Sequence, residues 1–389
     1  MTSNQVNPDR LKLDEKHKLT ILLTLKDRVP FTIRWLRYTN TWPFPFKILI
    51  ADGGKDSELP VLLSNRANFP NLNYEYRRYP YDQTYSHYYA KMVDALAHVE
   101  TPFVAIADND DFFLPEGLAN SVEFLQNHAE YSSCGGHIAG VRVVLNDRYG
   151  HLSQVYGDEK DIYFSPEIYP AGSALDVTAA KRVDYYFTKY RCTWYNVGRT
   201  PDALSKFCLL QKLDIKDIIL ASDLPELLGV ASGKVQREKF LYLVRQLSSP
   251  STSYSTEVKE KGDYFDRMLA ASWSADITGF VNAIAMAISQ KDGISTDEAC
   301  RQVRRGYRNF VAHGVIEGLL DQMPASYRYR IARDITSRIK PIFWSLRSLI
   351  NRNSAEKQSI PARRFVTSYP EFKPIYNFLI ASPSSIEIK

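Results

Sequence analysis

The chain has 389 residues, 44% hydrophobic, 13% aromatic and 24% charged, with a formal net charge of +5. That composition excludes a disordered, collagen-like or coiled-coil protein, and the length suits two domains or one large domain with an appendage. No apolar run approaches the roughly 18 residues of a membrane span. The N-terminal MTSNQVNPDRLKLDEKHK lacks the apolar core of a signal peptide, and the four cysteines form no CxxC pair. A reduced, cytoplasmic protein is expected, with no nucleic-acid partner.

After a polar tail over residues 1–18, Leu19 to Leu23 reads as a strand, ended by Lys26-Asp27-Arg28. Phe31 to Tyr38 reads as a helix, Phe46 to Ile50 as a second strand closed by Asp52-Gly53-Gly54, and Glu58 to Ala67 as a helix. Tyr74 to Arg77 is a third strand. Ser86 to His98 is helical, with Tyr89, Met92, Val93 and Leu96 at three- and four-residue spacing. Phe103 to Ala107 is a buried-type strand running into Asp108-Asn109-Asp110-Asp111. Strands alternating with helices predict an α/β fold with a parallel sheet, whose ligand lies beyond the carboxyl ends of the strands. Asp27, Asp52 and the Asp108–Asp111 run should therefore converge.

Residues 140–190 show no clear order. Leu204 to Leu213 and Leu224 to Val230 read as helices and Phe240 to Val244 as a strand. The polar Ser248 to Ser255 marks a boundary, placing one domain over 19–250 and a mainly helical region over 251–389. Helices are predicted at Tyr264–Gln290 and Thr296–Ala312, the second opened by a Ser295-x-x-Glu298 capping box.

Carboxylates at alternate positions after a strand, as in Asp108 and Asp110, can reach one hard cation such as Mn²⁺ or Mg²⁺. The same run could equally be a solvated acidic turn ahead of a helix at Pro115, and Asp52 a turn residue before two glycines. A P-loop, a G-x-G-x-x-G fingerprint, a G-x-S-x-G elbow and a zinc-ligand pattern are all missing.

Thr24-Leu25-Lys26-Asp27-Arg28, Ala51-Asp52-Gly53-Gly54 and Asp108-Asn109-Asp110-Asp111, in that order after three strands, resemble glycosyltransferase family 2 of the GT-A fold. The resemblance covers residues 19–125 and departs from the family pattern at Thr24-Leu25 and at Ala51. It implies a Rossmann-like, mostly parallel central sheet with flanking helices and a nucleotide-diphosphate sugar donor, most simply UDP-linked. Asp52 would contact the base. Asp108 would serve ribose, diphosphate and metal, and Asp110 would ligate the metal. Thr24, Asp27, Arg28 and Lys91 would line the donor site, with His87 a further source of positive charge.

A later stretch, Ala221-Ser222-Asp223-Leu224-Pro225-Glu226, followed by Ser232-Gly233-Lys234 and Tyr242-Leu243-Val244-Arg245, resembles the family's catalytic-base segment. Asp223 would then deprotonate an acceptor hydroxyl, with Glu226 in reserve; the plain alternative is a helix N-cap. Arg199 matches a place where the family often has Arg before the acceptor-side helix, which implies a diphosphate or acceptor contact, or it is a surface residue. The implied activity is inverting transfer of one sugar to a glycan or lipid-linked glycan, in bacterial surface polysaccharide synthesis. A sugar-phosphate nucleotidyltransferase and a non-catalytic scaffold subunit are the alternatives.

Ten Lys/Arg against Asp334 and Glu356 give residues 326–364 a charge of +8, and since the whole chain carries +5 the remainder carries −3. With Ile331, Ile335, Ile339, Ile342, Leu346 and Ile350 near helical spacing, this segment suits either peripheral membrane contact or packing on the body, with Pro341 kinking the helix.

Overall fold

A computed structural model describes residues 18–169, 172–188, 192–248, 262, 264–322 and 359–380. The N-terminal tail, the polar boundary after 248 and the basic segment up to 358 lie outside these residues. The first half of the chain alternates as expected. Strand β1 is Leu19–Leu25, helix α1 Val29–Thr39, β2 Lys47–Asp52, α2 Glu58–Ser64, β3 Tyr74–Arg78, α3 Tyr85–Ala97 and β4 Phe103–Ala107. Then come β5 Phe112–Phe113, α4 Pro115–Asn127, β6 Tyr131–Val143, β7 Ile162–Ser165, α5 Ala179–Thr188 and β8 Val197–Arg199. Beyond these lie α6 Thr200–Leu213, α7 Ile218–Ser232, β9 Lys234–Gln246, α8 Tyr264–Met268, α9 Trp273–Asp292 and α10 Thr296–Gln322. The last described elements are β10 Ile360–Pro361, α11 Ala362–Ser368 and α12 Lys373–Leu379.

Among the described residues the strands form one ten-stranded sheet in the order β10-β7-β6-β8-β4-β1-β2-β3, with β9 pairing β5 and β6. Strands β3, β2, β1 and β4 are mutually parallel, while β8, β7 and β10 join antiparallel. Register aligns Leu23 with Ala107, Leu25 with Asp52, and Asp52 with Arg78, so the parallel strands end on one edge.

The apolar runs of β1, β2 and β4 are continuous because both faces are covered. Alternate residues serve opposite faces. Leu22, Leu49, Val104 and Ile106 pack under α3, α5, α6, α7, α9 and α10. Ile21, Leu23, Ile48 and Ile50 pack with Trp35, Leu63, Leu118 and Val122 of α1, α2 and α4. Phe280 and Ile284 of α9 and Val303 of α10 belong to the first of these clusters, together with Leu224 of α7. The chain then returns to the sheet at the far edge, where Phe365, Phe372 and Ile375 pack on Phe164 and Val141.

Several elements differ from expectation. Strand β6 and helix α5 were not foreseen, and β9 is far longer than Phe240–Val244, because its mostly polar first half, Lys234–Lys239, carries no apolar strand signal and is held by pairing with β6. The predicted helix from Tyr264 is interrupted between Met268 and Trp273, and α10 runs past Ala312. Ser295 Oγ accepts from Glu298 N at 3.2 Å, but Glu298 turns to Arg301 and Gln302, so half of the capping box forms.

The C-terminal end of α7 is held by Arg182, which is 2% exposed and donates to Val230 O, Ala231 O, Asp176 O and Val177 O at 2.8–2.9 Å. Burial draws its pKa down, so its charge is maintained by these carbonyls and by Asp292 and Asp176. Arg182→Met should lower unfolding free energy by about 3–5 kcal/mol, since it orphans buried carbonyls now bound to a charged donor. Urea unfolding checks this; a loss under about 1 kcal/mol would mean that these carbonyls find other partners.

Candidate active site

Three acidic side chains meet where β4 ends. Ligand oxygens of Asp108, Asp110 and Asp111 all lie within 4.8 Å of one another. Like charges so close repel strongly in a poorly solvated place, and the surroundings answer with cations and donors. Tyr195 OH donates to Asp108 Oδ2 at 2.7 Å, and Arg28 Nη2 to Asp110 Oδ2 at 2.9 Å. Arg245 Nε and the Gln246 amide donate to the two oxygens of Asp111 at 2.9 and 3.1 Å. Beneath them Arg34, 1% exposed, donates to Asp110 O at 2.7 Å, to Gln246 Oε1 at 2.6 Å and to Val155 O at 3.1 Å.

Burial, then the neighbouring carboxylates, raises the Asp108 and Asp111 pKa values, Asp111 to about 7. Burial pulls Arg34 down to about 10, opposed by the acids around it. Both Asp111 oxygens are engaged. One oxygen each on Asp108 and Asp110 has no hydrogen-bond partner among the described residues. That donor set fits a hard divalent cation, with Asp108 and Asp110 holding it and Asp111 steadying the loop.

The ends of the neighbouring strands carry a second hydrogen-bonded cluster. Asp52, 2% exposed, accepts from Gly54 N at 2.8 Å, Tyr76 OH at 2.7 Å and Arg78 Nη1 at 2.5 Å. Asp27 and Arg28 both take left-handed backbone, φ 56° and 57°, so the chain reverses sharply after β1. Asp27 Oδ1 accepts from Lys55 N at 2.8 Å. A Cβ on Gly54 would lie 2.7 Å from Asp27 N, and one on Gly53 would lie 2.5 Å from the Asp82 carboxyl, so only glycines allow this closure. Thr24 pairs with Ala51 at the same edge, and His87 sits exposed at the start of α3, bonded to the N-cap Thr84.

Other placements correct the expectations. Lys91 does not open toward a donor. Its buried ammonium donates to Leu25 O at 2.9 Å and pairs with Asp82, pinning the β1 loop. Burial favours the neutral form of each partner, raising Asp82 and lowering Lys91. Arg199 lies opposite Phe103, at the start of β4 and roughly 15 Å of strand away from the acids. It donates to Leu125 O, His128 O and Tyr131 O, so it ties α4 to β6 rather than touching a diphosphate.

Asp223 does not open its helix either. Asp217 is the N-cap, accepting from Ile219 N and Leu220 N and paired with Arg267. Asp223 stands in the helix interior, beyond the turn where the helix dipole favours a carboxylate. Pro225 is tolerated inside α7 because almost the whole helix is buried. Burial, then Glu226 and Asp217, raises the Asp223 pKa well above its ordinary value. Its Oδ2 is buried without a hydrogen-bond partner. Glu226 Oε2 accepts from Thr193 N and from Thr193 Oγ1 at 2.9 Å, and burial pushes its pKa up to about 7. Residues 193–195 thus bridge Glu226, through Thr193, to Asp108, through Tyr195.

Tyr195, Arg245, Asp111, Tyr76, Arg78, Asp82 and Arg34 were not singled out as site residues from the sequence. Only the fourth acid of the Asp108–Asp111 run and the Arg after Tyr242-Leu243-Val244 carried a readable signal.

No protein-family model matches the chain, and no curated protein does. Among solved structures it is similar to S. aureus TarS 1-349 in complex with UDP-GlcNAc, at 14% identity and a TM-score of 0.49, covering 87% of this chain and 90% of that one. The same TarS fragment in complex with UDP gives 15% identity and a TM-score of 0.45 over 87% and 90%. The mannosyltransferase PcManGT from Pyrobaculum calidifontis, in complex with GDP-Man and Mn²⁺, gives 13% and 0.39 over 87% and 86%. At such scores the chemistry rests on this chain's own residues.

Glu226 yields a pH test. Its pKa is raised from 4.5 to about 7 on folding, so the folded state holds a proton that the unfolded state releases. The stability this confers is present below pH 4.5 and is lost as pH rises through 7. Glu226→Gln keeps an acceptor for Thr193 and should flatten the decline across that window by on the order of 3 kcal/mol. Denaturant melts at stepped pH check it; an unchanged slope would place the titration elsewhere.

Proposed function

We propose that this chain is a metal-dependent, inverting glycosyltransferase of the family 2 type. Its donor in this reading is a UDP-sugar, and its acceptor a hydroxyl of a glycan or lipid-linked glycan in bacterial surface polysaccharide synthesis. One observation carries the proposal: the spare oxygens of Asp108 and Asp110 lie at the carboxyl ends of the parallel strands, the edge where Asp52 is bonded by Tyr76 and Arg78. Residues 19–250 would form the GT-A domain and 251–389 the helical region. Among the described residues no helix is long and apolar enough to cross a membrane, and we place the protein in the cytoplasm.

A bound Mn²⁺ or Mg²⁺ would neutralise diphosphate charge as the nucleotide departs. The chain's own groups do the rest. Asp52 and its partners recognise the base and ribose, the Gly53-Gly54 turn lets Asp27 and Asp82 close against it, and Arg28 offers positive charge next to Asp110. For the base, α7 supplies two acids, and geometry favours Glu226 over Asp223. Its pKa of about 7 suits proton abstraction near neutral pH, and Thr193–Tyr195 ties it to Asp108. The burial of both acids favours a second reading, a nucleotide-sugar-binding scaffold without turnover.

Calorimetry of UDP with and without Mn²⁺ tests the site. Asp110→Ala should remove the metal-dependent part of UDP affinity, about 100-fold, leaving the fold intact. Metal dependence that survives this change would overturn the assignment.

Turnover of UDP-sugars distinguishes the two readings. Glu226→Gln should retain donor affinity and lose roughly 10²–10⁴-fold in transfer. The same signature in Asp223→Asn alone would move the base there. Donor binding without any turnover in the parent protein would establish the scaffold reading.

A further inference from the structure

Helix α10 carries Arg301, Arg304, Arg305 and Arg308 at intervals of three and four residues, so all four project from one face. Together with α9 they rim an open cavity of ≈ 760 Å³ whose floor is Ile277, Val281 and Tyr307. The four arginines are exposed. Arg301 is paired with Glu298 at 2.5 Å, whereas Arg304, Arg305 and Arg308 have no ion pair among the described residues. Like charges four apart, Arg301 with Arg305 and Arg304 with Arg308, weaken an isolated helix. An anion layer across this face would relieve that repulsion.

We propose that this face docks on the headgroups of an anionic lipid surface. Three observations favour such a surface over a small soluble anion. The guanidinium groups are exposed on an open face spanning about 10 Å, rather than gathered around an enclosed site. Exposed apolar side chains continue the same rows. Met286 lies two steps of four residues beyond Thr278 on α9, and Ile316 two such steps beyond Arg308 on α10. Finally, the rim mixes long cationic side chains with an apolar floor, which suits phosphate oxygens above glycerol and acyl carbons.

Co-sedimentation of the full chain with phosphatidylcholine vesicles, with and without phosphatidylglycerol, tests the proposal. Binding should require phosphatidylglycerol and fall with added salt. The triple variant Arg304→Gln, Arg305→Gln, Arg308→Gln leaves the basic 326–364 segment intact and should weaken binding by about 100-fold. The corresponding triple Lys variant keeps the charge and should bind like the parent, which separates lost charge from a damaged fold. Equal binding by the Gln variant, or equal binding to vesicles without phosphatidylglycerol, would overturn it. So would a chain that ignores both vesicles yet binds soluble polyphosphate through these arginines. The readout is binding alone, so it stands apart from the fate of the proposed transfer reaction.

Discussion

Everything at the carboxyl edge of the sheet answers to one constraint: three carboxylates held within 4.8 Å in a largely buried place. Unaided, such a cluster would protonate or push itself apart. Here Arg28, Arg34, Arg245 and Tyr195 come from a loop, a helix, a strand and a linking segment that are far apart in sequence. Arg245 also stacks over Tyr195 at 4.5 Å and donates to Tyr169 OH at 2.8 Å, so the donors themselves interlock. Neutralising the acids therefore fastens β9, α1 and residues 193–196 around the end of β4.

The same constraint explains the graded burial. Asp111 is sealed by Arg245 and the Gln246 amide, and Asp110 keeps one oxygen beyond the reach of Arg28. A site able to bind a cation must leave some charge unmet, and here that charge would lie on Asp108 and Asp110, since the donors go to Asp111. The cluster around Asp52 works by the opposite rule. Asp52 is saturated by Gly54, Tyr76 and Arg78, which makes it a rigid platform rather than an open charge. Lys91 and Asp82 extend that rigidity to the β1 loop.

Helix α7 shows where local pattern and tertiary context part. The Ala221-Ser222-Asp223 stretch ahead of Pro225 has the local marks of a helix start. The helix nevertheless begins at Ile218, since Asp217 caps it, Arg267 holds Asp217, and burial of Ile219, Leu220 and Leu224 outweighs the missing proline donor. Moving the start by one and a half turns carries Asp223 inward, raises its pKa and changes the chemistry open to it. Arg199 makes the same point on a strand. A local match to a family position cannot say which end of β4 an antiparallel neighbour will reach.

What the sequence determined by itself was the parallel half of the fold and the acids at its edge. Continuous apolar runs must be covered on both faces, and polar residues that follow such strands must gather where the strands end. The parallel strands and the acids Asp27, Asp52, Asp108 and Asp110 at their carboxyl ends follow from that logic, whereas the order β3-β2-β1-β4 is set by the pairing. What only the tertiary structure decided was how those charges are met. Tyr195, Arg34, Arg245, Tyr76 and Arg78 act through contacts with partners up to 212 residues away. Hydrogen bonds of that range leave no periodicity in a chain, because they depend on which surfaces the packed sheet and helices bring together.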